Sequence, residues 1–146
     1  MQPTNVAVQT RAALCPALPL SRRELSALCA CLTEALGLGQ AAFELSIVDD
    51  ESIAELNRNF LGVSGPTNVL SFPGTHPDDP GYIGEIALSA PAAYREAVLY
   101  GQDPAAHLAR LLAHGLLHLA GFDHGEAMEA LTEKAVRATA RGNRPI

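Results

Sequence analysis

The residues of this chain whose types and spacing could do chemistry are His114, His118 and His124, all within the run HGLLHLAGFDH at 114–124. Two histidines four apart on a helix lie one above the other on the same face, about 6 Å apart along the axis, so both can grip one ion. Gly121 accepts the left-handed conformation that ends a helix, which lets the chain turn back and bring His124 to a third position. Three neutral imidazoles and a water make the open tetrahedral site of a catalytic zinc, as opposed to a closed four-ligand structural site. The carrier helix is apolar nearly all round, with Leu108, Leu111, Leu112, Leu116, Leu117 and Leu119, and is expected to be buried. An unsatisfied buried polar group costs roughly 1–3 kcal/mol, and a shared ion satisfies both helix imidazoles. His114, His118 and His124 are therefore the expected zinc ligands and the expected catalytic centre.

The offsets 0, 4 and 10 with glycine at 7 match the zinc-peptidase pattern HExxHxxGxxH, but the general-base position holds Gly115. A peptidase without that glutamate lacks its proton acceptor, which points away from peptide hydrolysis by the usual route. Glu85 or Asp123 could supply a carboxylate from elsewhere; for Asp123, orienting a ligand imidazole or capping a turn is an equal alternative. His107 lies two turns before His114, too far to share the ion, and is expected at the surface. His76, beside Pro77, Asp78 and Asp79, is expected in solvent.

These side chains need a frame. Thr4 to Thr10 alternates as a strand, and Ser21 with Glu24 forms a capping box that opens a helix to about Leu36, stopped by Gly37 and Gly39. Phe43 to Val48 reads as a second strand, and Asp49 or Asp50 caps a helix through Ile53, Leu56 and Phe60. After a loop at Gly62, Gly65 and Pro66, two more strands are expected at Val69 to Phe72 and Tyr82 to Leu88. Ser89 caps a helix to about Tyr100, Asp103 and Pro104 open the histidine helix, and a last helix runs from about Gly125 towards Arg141. The fold class is α+β, about four strands packed with several helices, and residues 1–146 suit one domain.

Hydrophobic residues at 48% and charged residues at 18% exclude a disordered chain. The most apolar run, Leu111 to Ala120, holds two histidines and is shorter than the ~20 residues that cross a bilayer. The first ten residues lack a basic start, and Pro16 and Pro19 break the apolar stretch that follows, so no membrane association and a cytoplasmic location are expected. Cys15, Cys29 and Cys31 make neither a disulfide framework nor a CxxC pair and read as reduced thiols in or near the core. The net charge of −6 conceals an asymmetry: residues 134–146 hold Lys134, Arg137, Arg141 and Arg144 and no acid, while residues 1–133 carry −10. The basic end could meet an anionic partner or simply suit the C-terminal helix dipole.

With these residues in view, the chain resembles the YbeY family of bacterial endoribonucleases. The resemblance rests on HGLLHLAGFDH at 114–124, PTNVLSFP at 66–73, IGEIALS at 83–89 and LN at 56–57, and spans roughly residues 45–135. It implies cleavage of single-stranded RNA, zinc on the three histidines, and a role on the ribosomal small subunit in maturing its RNA and in ribosome quality control. It also implies a small α+β domain with the histidine helix at its centre. The family usually places an arginine just after the aromatic residue of the LNxx[YF] segment, where it would hold a phosphate; here Leu61 follows Phe60, with Arg58 and the basic tail as candidate substitutes. Three functions remain in play: an endoribonuclease, a metallopeptidase or other metal hydrolase, and a metal-stabilised ribosome assembly factor that does not cut.

Overall fold

The computed structural model describes residues 6–10, 20–62, 64–65 and 67–142. Thr4, Cys15, Pro16, Pro19, Pro66 and Arg144, which enter the expectations above, lie outside the described residues.

Four strands, β1 (Val6–Thr10), β2 (Ala42–Val48), β3 (Val69–Pro73) and β4 (Tyr82–Ser89), form one mixed sheet in the order β1-β2-β4-β3. β1 and β4 run parallel to β2 on either side, and β3 returns antiparallel along the outer edge of β4, with Val69 opposite Leu88 and Pro73 opposite Gly84. The expected α+β class and strand count are thus observed.

The first four α-helices each start where a polar side chain satisfies free backbone donors. Ser21 and Glu24 close a reciprocal capping box on α1 (Arg22–Ala35), and Asp49 accepts from the Ser52 N–H at 2.8 Å to open α2 (Asp50–Leu56). Ser89 caps α3 (Ala90–Leu99), and Asp103 caps α4 (Pro104–Leu119) with Pro104 at its first position. α5 spans Glu126–Gly142. The helix expected to continue to Phe60 instead widens after Leu56 into a single π-helical turn, Asn57–Leu61, which ends at Gly62 in the left-handed region. Buried Asn57 donates its amide N–H to the Gly65 carbonyl at 3.0 Å, holding the loop back against that turn. Such turns widen a helix and re-aim its side chains.

Strand alternation sorts the core into two parts. Phe43, Leu45, Ile47, Ile86 and Leu88 point to one face, where α1 and α4 cover them with Leu25, Leu32, Leu108, Leu112 and Leu116, and α5 packs against those two helices. Val48, Leu70 and Ala87 point to the other face and pack with Ile53, Leu56 and Phe72 in a smaller cluster. Glu44, Ser46 and Glu85 share that second face, which is therefore part apolar and part polar.

His107 is not at the surface. It is 6% exposed, and its Nε2 meets Glu96 Oε1 at 2.9 Å, while both Glu96 oxygens accept from the Asn68 amide at 3.1 and 3.2 Å. The expectation failed because the α3 side of α4 is covered by α3 itself, and a helix wrapped on several sides has no free face for His107. Asn68 also offers its carbonyl to the Ser89 N–H at 2.8 Å, so one carboxylate ties the start of β3, helix α3 and helix α4 together.

Replacing Glu96 by Ala leaves Asn68 and His107 unpaired in a partly buried site, and a loss of about 1–3 kcal/mol in unfolding free energy is expected. Urea denaturation measures it, and a midpoint equal to that of the parent would show that the network contributes nothing to stability.

Candidate metal centre

α4 is pressed onto the sheet by residues with no bulk to spare. A Cβ on Gly115 would meet Ile86 Cδ1 and Ser71 Oγ, each at 3.2 Å, so glycine lets this turn lie flat on β3 and β4. Ser71 uses that proximity and donates its hydroxyl to the Gly115 carbonyl at 2.9 Å. At the C-terminal end Gly84 has φ +139°, and a side chain there would collide with the Phe72 carbonyl and with Leu119. With the apolar side of α4 held down in this way, His114 and His118 are left half-buried at its margin.

The helix then closes with paired backbone bonds that turn the chain back. Phe122 N–H reaches the Leu117 carbonyl at 2.9 Å, and Gly121 N–H reaches that of His118 at 3.0 Å, with Gly121 at φ +98°. This is a Schellman closure, in which a left-handed glycine reverses the chain direction. The reversal carries exposed His124 over the helix, where its ring centroid lies 5.0 Å from that of His114 and 4.7 Å from that of His118. The structure therefore brings together all three residues that the spacing singled out.

The three ligand nitrogens all lie within 4.8 Å of one another. Nε2 of His114 and Nε2 of His118 face each other at 3.2 Å. Two ligands of a tetrahedral zinc, each ~2.05 Å from the ion, would stand about 3.3 Å apart, so this pair fits such an ion. Nδ1 of His118 lies 3.1 Å from the Phe122 carbonyl, which accepts the ring N–H there and leaves Nε2 unprotonated for a metal. The orienting partner is thus a backbone carbonyl, not the Asp123 carboxylate; Asp123 is exposed and has no side-chain partner among the described residues. Burial, then the neighbouring His118 and His124, pushes the His114 imidazole below its usual range, which favours the neutral form that binds metal.

The cleft beside these rings, roughly 440 Å³, is walled by Arg110 from α4 and by Glu126, Glu129 and Glu133 from α5. Arg110 is held by Glu133 through Nε at 2.9 Å and Nη2 at 3.2 Å, and by Gln102 through Nη1 at 2.9 Å. Each partner keeps the other charged: the pairing raises Arg110 and lowers Glu133. Sequence reasoning passed over this wall, although its signals were present. Arg110 stands one helical step of four before His114, and Glu126, Glu129 and Glu133 follow an i, i+3, i+7 stripe.

Glu85 and Leu61 both lie away from the histidines. Glu85 belongs to the far face of β4, where its Oε2 accepts from the Ser46 hydroxyl at 3.2 Å. Leu61 lines a separate groove with Phe60, Phe72 and Glu85. His76 is exposed in the loop before β4, as expected.

The sequence profile described as endoribonuclease YbeY matches residues 20–139 of this chain. The chain belongs to the YbeY family. A protein from Oleidesulfovibrio alaskensis named endoribonuclease YbeY is 41% identical over 149 residues, covering 88% of each chain. Its namesake in Nitratidesulfovibrio vulgaris is 43% identical over 139 residues, covering 83% of this chain and 86% of its own. The solution structure of TM1509 from Thermotoga maritima superimposes with a TM-score of 0.67 at 25% identity, covering 94% of this chain and 90% of that one. The fold and the family expected from the motifs are both borne out.

The peptidase comparison now has a geometric answer. Position 115 faces Ile86 and Ser71, so a glutamate there would be driven into the sheet. Gly115→Glu is expected to destabilise the fold by ~3 kcal/mol or more, because overpacking and a buried unpaired carboxylate act together, and to show no peptide hydrolysis. Chelator-sensitive peptidase activity in a variant with parental denaturation behaviour would show that α4 can roll on the sheet.

Proposed function

We propose that this chain is a zinc-dependent endoribonuclease that cuts single-stranded RNA, and that it acts in the cytoplasm on the ribosomal small subunit, in maturation of its RNA and in ribosome quality control. In this reading residues 1–146 work as one catalytic domain, with His114, His118 and His124 as both metal ligands and catalytic centre. The observation that carries it is the convergence of three imidazoles on one point in a chain of an endoribonuclease family. Relatives named endoribonuclease YbeY supply the substrate class. No helix among the described residues is long and apolar enough to cross a membrane, which is compatible with the location proposed.

The residues fit a zinc ion by donor type, by separation and by the tautomer that Phe122 imposes on His118. When bound, such an ion lowers the pKa of a coordinated water to about 7 and withdraws charge from phosphoryl oxygens. The chain's own residues supply the rest. His114 and His118 are held by a helix that cannot roll, so their lone pairs stay aimed. The Arg110–Glu133 pair stiffens the cleft wall, and that guanidinium is the one cation lining the cleft among the described residues. Glu126 and Glu129 have no side-chain partner among the described residues and line the same cleft, where a carboxylate can take a proton from an attacking water or hydroxyl.

The metallopeptidase reading loses its support with position 115 turned into the sheet. The non-cutting assembly factor keeps one observation, a cleft in which Glu126 and Glu129 stand beside the mutually neutralised Arg110–Glu133 pair and repel a phosphodiester chain until a cation is bound.

The test is incubation of the purified protein, after elemental analysis, with labelled single-stranded RNA, duplex RNA and a peptide library, each with and without chelator. About one zinc per chain and chelator-sensitive cutting of single strands alone are expected. His118→Ala should lose most of the metal, the cutting and part of the folding stability together, because two imidazoles do not hold a catalytic ion tightly. Zinc-loaded protein that binds ribosomal subunits and leaves every RNA intact would establish the assembly factor instead.

A further inference from the structure

On the far face of the sheet from the histidine helix lies a groove of roughly 520 Å³ that the metal chemistry does not use. Its rim is aromatic and apolar. Phe60 is 67% exposed, unusual for a large apolar side chain, yet it is held in place: its ring meets Phe72 edge to face, with centroids 5.5 Å apart. The π-helical turn and the Asn57 hydrogen bond to Gly65 fix the backbone that presents it. Leu61 and Pro73 complete the rim.

The charged group in the groove is a carboxylate. Ser46 donates its hydroxyl to Glu85 Oε2 at 3.2 Å, which leaves Oε1 and part of Oε2 free to accept. Glu44 stands beside Glu85 in the parallel register, and its own Oε1 is taken by the Tyr82 hydroxyl at 3.0 Å. Among the described residues, no lysine or arginine lines the groove. An occupant must therefore offer a flat apolar face to Phe60 and Phe72, and hydrogen-bond donors to a carboxylate.

We infer that this groove is a subsite for an unpaired guanine base of single-stranded RNA. Guanine presents two adjacent donors, N1–H and N2–H, which a carboxylate accepts side by side. Adenine and cytosine place an acceptor next to their amino group, and uracil offers one donor between two acceptors. Unpaired bases are commonly read on their Watson–Crick edge while stacked on aromatic rings. Ser71 borders the groove along β3, while its hydroxyl points to the opposite face and donates to the carbonyl of Gly115, the residue after His114. The inference rests on the RNA-cleaving reading and adds a base preference to it.

Binding of free nucleosides tests it without any cleavage. The full chain with labelled phenylalanines, in zinc-loaded and chelated forms, is titrated with guanosine, inosine, adenosine and cytidine, and the ring signals of Phe60 and Phe72 are followed by NMR. Guanosine should shift both rings in both forms. Inosine, which lacks the 2-amino group, should bind about tenfold more weakly. Glu85→Gln keeps an acceptor for the Ser46 hydroxyl and should weaken guanosine by a similar factor. Phe60→Ala, at an exposed position that leaves the inner cluster intact, should lose the stacking and most of the binding. Equal shifts with all four nucleosides, no shift with any of them, or parental guanosine binding by Glu85→Gln would each overturn the subsite. RNA cutting is scored separately, so a chain that cuts RNA and ignores guanosine refutes the subsite alone, and one that binds guanosine and cuts nothing refutes the nuclease alone.

Discussion

The flat contact between α4 and the sheet is the constraint on which the rest of this structure depends. Gly115 permits it, Ile86 and Ser71 fill the space that a side chain would take, and the Ser71 hydroxyl fastens it to a helix carbonyl. Because interiors are close-packed, a helix held in this way has little freedom to rotate about its axis. The directions of His114 and His118 follow from that, and so does the exclusion of position 115 from the metal cleft. Gly84 extends the same constraint to the other end of the contact, where β3 and Leu119 crowd the β4 backbone.

Two polar networks brace this arrangement from the sides. Glu96 joins Asn68 and His107 between α3, β3 and α4, and Glu133 joins Arg110 between α4 and α5. The first is mostly buried; the second is partly exposed and gains definition from its two parallel hydrogen bonds. Each holds a helix against α4 at a different height, so the histidine helix is supported on both flanks. The third imidazole is placed by another device, the backbone reversal at Gly121, which also supplies the Phe122 carbonyl that orients His118. Closing the helix and building the site are one event in the chain.

The sheet separates two chemistries. Its covered face carries the aliphatic rows that hold α1 and α4, with the imidazoles at the margin. Its other face carries Glu44, Ser46 and Glu85 beside Phe72 and the exposed Phe60. A one-residue shift of β4 would exchange these sets, so the pairing of Phe43 with Gly84 and Leu45 with Ile86 decides which side is metal-facing and which is open.

Much of this was legible in the sequence, since the signals are local. Helix starts at Ser21, Asp49, Ser89 and Asp103 follow from capping chemistry acting within a few residues. The three histidines could be named because an i, i+4 pair and a terminating glycine define their relation whatever surrounds the helix. What depends on distant parts of the chain was not legible. His107 is polar and sits on a stripe shared with His114, and only the packing of α3 buries it against Glu96. The exclusion of Glu85 from the ion follows from the face it occupies in the assembled sheet, and the α2 helix widens where tertiary contacts hold Asn57. The sequence by itself determined which side chains could bind a metal and the turn that gathers them; tertiary structure decided which carboxylates and cations face them, because that depends on how helices and strands distant in sequence pack together.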